Sequence, residues 1–158
     1  MEKLFTCKEV GDNKYLHRDF HQSVDIGLIY IGDKFGDIAV TQYLTQAAKN
    51  FYAPLIESIK SKGLAVLDAH IKDIYAREEA SDAVITRLEN GQLEVKVLYC
   101  PGVKYLKSIG HIPSKWYVQT TSTVSKVIAE STGYDFNMGK YNEDSGAVSY
   151  KFTYKQKE

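Results

Sequence analysis

The hydrophobic period of this chain changes once, near residue 84, and that change limits the folds open to it. Before it, apolar residues recur every three to four positions. Leu16, Phe20, Val24, Leu28 and Ile31 do so within 13–31, and Val40, Leu44, Ala47 and Phe51 within 38–52. Such spacing places one apolar stripe along a helix. Pro54 interrupts the second stripe, either kinking that helix or occupying the first turn of another. Leu55 and Ile59 carry the pattern to Lys62-Gly63, where Gly63 suits a helix end. A further helix is predicted over 64–84, with Leu67, Ile71 and Ile74 as its stripe.

Beyond that point the period becomes two. Leu93, Val95, Val97 and Tyr99 alternate with Glu94, Lys96 and Leu98, which describes a strand with one covered face. Asn90-Gly91 separates this run from Ile85–Glu89, and both residues tolerate the φ values of a tight hairpin. Val103–Ile109 reads as a short helix. Ser114 is a candidate cap for another helix, containing Trp116, Val118, Val124, Val127 and Ile128. A second hairpin is expected from 134–141 and 147–154, joined through Asn142, Asp144 and Gly146. The expected class is α+β: a helical N-terminal half packed on a four-stranded, mainly antiparallel sheet with a crossover helix. No repeat or linker divides the chain, so 1–158 is read as one domain.

Composition narrows the function. Twenty basic and 20 acidic residues cancel, which argues against a general nucleic-acid binder. The most apolar stretch, 26–32, is too short to span a bilayer, and no membrane partner is expected. The start MEKLFTCKEV lacks a basic segment followed by an apolar one, and two cysteines make no disulfide framework. The expectation is a cytoplasmic protein with free thiols. The remaining partners are a small-molecule ligand and a second copy of the chain. No glycine-rich phosphate loop and no paired-cysteine zinc pattern is present.

Three groups of side chains carry candidate chemistry. His17, His21 and Asp25 are spaced by four and share one helical face. Two imidazoles and a carboxylate suit a divalent metal, although no cofactor is otherwise implied. The plainer alternative is a half-buried histidine pair bonded to nearby carboxylates, or His17 and His21 orienting a ligand. Cys100 ends a strand and precedes Pro101-Gly102, a place where a nucleophile is held yet reachable. As a thiolate it would attack carbon, with His70 or His111 moving the proton. As a thiol it is simply a small buried apolar group. Lastly, Trp116, Tyr117, Thr120, Thr121 and Tyr150 combine aromatic area with hydroxyls and are candidate ligand contacts. Ordinary sheet and helix packing accounts for the same residues.

Several of these segments resemble the L-2-amino-thiazoline-4-carboxylic acid hydrolase-like family. The likeness rests on Cys100-Pro101, the following KYLKSIGH, a helix, and the glycine-led strand SGAVSYKF, mainly within 99–152. It implies hydrolytic opening of a small sulfur- and nitrogen-containing ring, and related domains are implied to bind hydrophobic small molecules or act as sensors. That family places further cysteines in the next helix and the last strand. Here Thr120 or Thr121, and Ser149 or Tyr150, stand in those regions. The leading expectation is therefore a small-molecule-binding domain. The alternatives are a thiol-dependent hydrolase acting on a C–N bond of a small cyclic amide, amidine or thiazoline-like substrate, and a structural dimerisation module. The binding reading requires a cavity with convergent polar groups, and the hydrolase requires Cys100 beside a histidine.

Overall fold

A computed structural model describes residues 18–155. Cys7 and His17 lie outside the described residues. Four helices come first: α1 (Phe20–Phe35), α2 (Asp37–Phe51), α3 (Ala53–Lys62) and α4 (Leu64–Arg77). A short 3₁₀ turn, Ser81–Ala83, leads into β1 (Val84–Glu89) and β2 (Gln92–Val97). Then follow α5 (Pro101–Ser108), α6 (Gln119–Thr132), β3 (Tyr134–Met138) and β4 (Val148–Tyr154). The strands lie in the order β1-β2-β4-β3, and every neighbouring pair is antiparallel. The expected α+β class is the class observed.

Local chemistry explains the element ends. Pro54 sits in the first turn of α3, where its missing N–H leaves no intrahelical bond unmade. The predicted helix over 64–84 stops earlier, at Arg77. Glu79 takes a φ of 55°, and the Ala80 N–H closes the end on the Tyr75 carbonyl at 2.9 Å. Val84 is thereby released to the strand alternation that follows. In the hairpin, Asn90 and Gly91 have φ values of 50° and 72°, as a type I′ turn requires. The helix expected from Ser114 begins at Gln119 instead. The Ser114 side chain is engaged elsewhere: its hydroxyl donates to Asp25 Oδ1 at 2.6 Å and accepts the Trp116 N–H at 3.3 Å.

Strand alternation defines the covered face. Leu93, Val95 and Val97 of β2 are buried, as are Val148, Tyr150 and Phe152 of β4, while Glu94, Lys96 and Lys151 are exposed. The register pairs Leu93 with Phe152, Val95 with Tyr150 and Val97 with Val148, so one continuous apolar face results. α4 and α6 pack on that face and α3 packs against both; α2 lies on α6, and α1 on α2 and α5. Fully buried residues such as Leu93 and Phe152 each contribute roughly 1.5–3 kcal/mol through lost apolar exposure. A separate apolar cluster joins Leu28, Val40, Leu44 and Trp116 between α1 and α2. Among the described residues, no helix is long and apolar enough to cross a membrane.

Candidate functional site

The helices do not fill all the space above the sheet. A cavity of about 320 Å³ remains between α1, α4, α6 and the covered sheet face. Helical spacing sets its walls. On α4 and just past its end, Leu67, His70, Ile71, Ile74, Tyr75 and Glu78 share a single face, each lying three or four residues from another of the set. α6 supplies Thr120, Thr121, Val124, Ser125 and Ile128 by the same rule, and α1 supplies Phe20, His21 and Val24. Tyr150 and Phe152 form part of the sheet wall. Cys100, Pro101 and Gly102 enter where β2 gives way to α5.

The polar groups are ordered around His21. Its Nε2 lies 2.9 Å from Glu78 Oε1, and its Nδ1 lies 2.9 Å from the Tyr117 hydroxyl. Burial, and after it the proximity of Cys100, pushes Tyr117 far above the usual phenol range, so its O–H is present to donate. Nε2 faces the carboxylate and Nδ1 faces the phenol, so the ring links Tyr117 to Glu78. Both nitrogens of His21 are thereby engaged. Gly102 makes this arrangement sterically feasible: a Cβ there would overlap the Tyr117 hydroxyl and crowd the His21 ring.

Cys100 shares the cavity but is not primed as a nucleophile. Burial pushes its thiol pKa up; the N–H groups of Val103 and Gly102 at the start of α5 pull it down, and nearby Glu78 pushes it up again. The balance is upward, so the sulfur rests as a thiol at neutral pH. Burial also raises Tyr75 and Tyr150 well above the phenol range. His70 stands edge-on to Tyr52, with ring centroids 5.9 Å apart. Its Nε2 is buried without a hydrogen-bond partner among the described residues, and burial lowers its pKa.

The structure thus brings together Cys100, His70, His21, Tyr117, Thr120, Thr121 and Tyr150. It places His111, Trp116 and Asp25 elsewhere. Asp25 is 0% exposed. It accepts from His111 Nε2 at 2.7 Å, the Ser114 N–H at 2.9 Å and the Ser114 hydroxyl at 2.6 Å. His111 is held there, beside α1, away from Cys100. Trp116 donates its ring N–H to Asp37 at 2.8 Å and packs between α1 and α2 instead of lining the cavity. His21 and Asp25 therefore serve different partners, and His17 lies outside the described residues. Among the described residues, no group of three or more His, Cys, Asp or Glu side chains could hold a metal ion.

Sequence reasoning missed Glu78, Tyr52 and Tyr75 as site residues. The signal for Glu78 was present. It continues the steps of three and four through Ile71, Ile74 and Tyr75, and only 9% of it is exposed. Its neighbour Glu79 is on the surface and pairs with Arg18 at 2.7 Å.

No protein-family model matches the chain, and no curated protein or solved structure is significantly similar to it.

Proposed function

We propose that this protein is a small-molecule-binding domain. The observation that carries this reading is the cavity itself: about 320 Å³, with walls that are mostly aliphatic and aromatic. A few polar groups converge on it, namely His21, His70, Glu78, Thr120, Thr121 and Cys100. Ligand sites have this character, with apolar area for affinity and sparse polar groups for orientation. The volume suits a ligand of one to three fused rings. The alternative, a thiol-dependent hydrolase of the kind the family resemblance implies, draws support from Cys100 and His21 sharing the cavity. Against it stand the raised thiol pKa and the engagement of both His21 nitrogens by Tyr117 and Glu78. A homodimer in the cytoplasm remains our expectation, favoured by the exposed Phe35 and Ile38 where α1 meets α2. Sedimentation equilibrium tests it.

The binding reading is tested with the neutral fluorophore 1-aminoanthracene. We expect saturable, one-to-one fluorescence enhancement with the wild-type chain. Val124→Trp, which fills the cavity from α6, should abolish the enhancement while retaining a cooperative melt. An unsaturable signal, or one unchanged in Val124→Trp, counts against the proposal.

A further inference from the structure

The charge pattern of the cavity selects among small molecules. Its wall contains one carboxylate, Glu78, and among the described residues no lysine or arginine. Arg18 precedes α1, but its guanidinium is paired with the exposed Glu79 at 2.7 Å. The His21 ring meets one oxygen of that carboxylate through Nε2, at 2.9 Å. The second oxygen makes no hydrogen bond within the described residues. The other ionisable groups of the wall add no positive charge at neutral pH. Burial holds the Cys100 thiol and the Tyr75, Tyr117 and Tyr150 phenols protonated, and it keeps the His70 imidazole neutral.

The same wall holds six aromatic rings: Phe20, Tyr52, Tyr75, Tyr117, Tyr150 and Phe152. The faces of such rings are electron-rich and attract cations, more strongly where water is excluded. Hydrogen-bond acceptors are also at hand. The Thr120 hydroxyl donates to the Tyr117 carbonyl at 2.7 Å and keeps its lone pairs for another group. His70 Nε2 has no partner among the described residues. An anion brought here would meet Glu78 with no lysine or arginine in the wall to offset the repulsion. A neutral hydrocarbon would fill the volume and leave the carboxylate and His70 unanswered.

We propose that the cavity takes an organic ammonium ion, an arylalkyl or alkyl amine whose charge lies against Glu78 and whose apolar body lies among the rings. This rests on the small-molecule-binding reading. The covered carboxylate supplies the counter-charge, and the aromatic walls replace part of the lost hydration.

The test is displacement of 1-aminoanthracene at neutral pH by three compounds of matched shape: 2-phenylethylammonium, propylbenzene and 3-phenylpropanoate. We expect the ammonium to compete about tenfold better than propylbenzene, as a desolvated cation–ring contact with a counter-charge predicts, and the carboxylate to compete worst. In Glu78→Gln, which keeps an acceptor for His21, the ammonium should lose that advantage while propylbenzene binds as before. Suppose the wild-type chain binds 1-aminoanthracene but prefers propylbenzene or the carboxylate, or takes none of the three. That overturns the ammonium assignment and leaves the binding reading standing. Absence of any 1-aminoanthracene binding removes both. The wild-type comparison decides the matter even where Glu78→Gln folds poorly.

Discussion

Asp25 and Glu78 are both covered carboxylates hydrogen-bonded to a histidine, yet their surroundings differ. Asp25 receives three donors, from His111 and twice from Ser114, and has no solvent exposure. It ties the segment after α5 to the middle of α1, and it is not part of the cavity wall. Glu78 receives one donor, from His21, and borders a cavity. A saturated cluster contributes to stability, because every donor it satisfies would otherwise be left unpaired. An unsaturated cluster beside open volume leaves room for a group that is not part of the chain. The same residue types thus serve as a clamp in one place and as a candidate site in the other.

The comparison can be broken by mutation, and the largest expected effect falls on the clamp. Asp25→Ala leaves three donors without an acceptor and should destabilise the fold by about 3–5 kcal/mol, as for other broken buried pairs. Asp25→Asn keeps one acceptor and should lose less. Urea unfolding of both variants checks this. Glu78→Ala should cost only about 1–3 kcal/mol, for the single donor it strands, but should markedly weaken ligand binding. Equal losses from Asp25→Ala and Glu78→Ala would erase the distinction between clamp and site.

Gly102→Ala comes next. The added methyl overlaps the Tyr117 hydroxyl and presses on His21, so the Tyr117–His21–Glu78 chain must shift. Overpacking of this kind costs roughly 1–3 kcal/mol. Binding of 1-aminoanthracene should weaken as well, and loss of stability with unchanged binding would separate Gly102 from the site.

The smallest effect concerns pH. Burial lowers the His70 pKa in the folded state relative to about 6.5 when unfolded. Below that value the unfolded chain takes up the proton first, so stability present at neutral pH declines on acidification. His70→Leu should therefore show a shallower fall in Tm between neutral and mildly acidic pH. His70 is only partly covered, so the difference should stay below about 1 kcal/mol. A fall as steep as that of the wild type would contradict the assignment of His70 as partly covered and neutral.

How much of this was legible in the sequence depended on the range of the interaction. The Asn90-Gly91 turn and the alternation Leu93–Val97 are decided by neighbours in the chain, and both were readable. The end of α4 was not, because the turn at Glu79 competes with an intact helical pattern and the following strand decides the outcome. His21, Tyr117, Thr120, Thr121 and Tyr150 could be singled out by chemistry, but no local rule indicates that α1, α6 and β4 meet in one cavity. Nor does a local rule indicate that His111 and Trp116 lie outside that cavity. Their partners, Asp25 and Asp37, lie far away in sequence. Glu78 was overlooked because a glutamate beside another glutamate suggests a wet surface, although its helical phase pointed inward.

The sheet order bears on when this cavity comes into existence. β2 is joined to β4, so Val97 waits for Val148 and Leu93 for Phe152. The hairpin of β1 and β2 can close soon after it is made, but that central pairing spans a long loop and carries a larger entropic cost. Tyr150 and Phe152, which wall the cavity from the sheet side, arrive with the last strand. During synthesis the chain therefore acquires most of its helices before it can hold anything. A ligand present in the cell would stabilise only the finished molecule, and would favour its release as a complete fold.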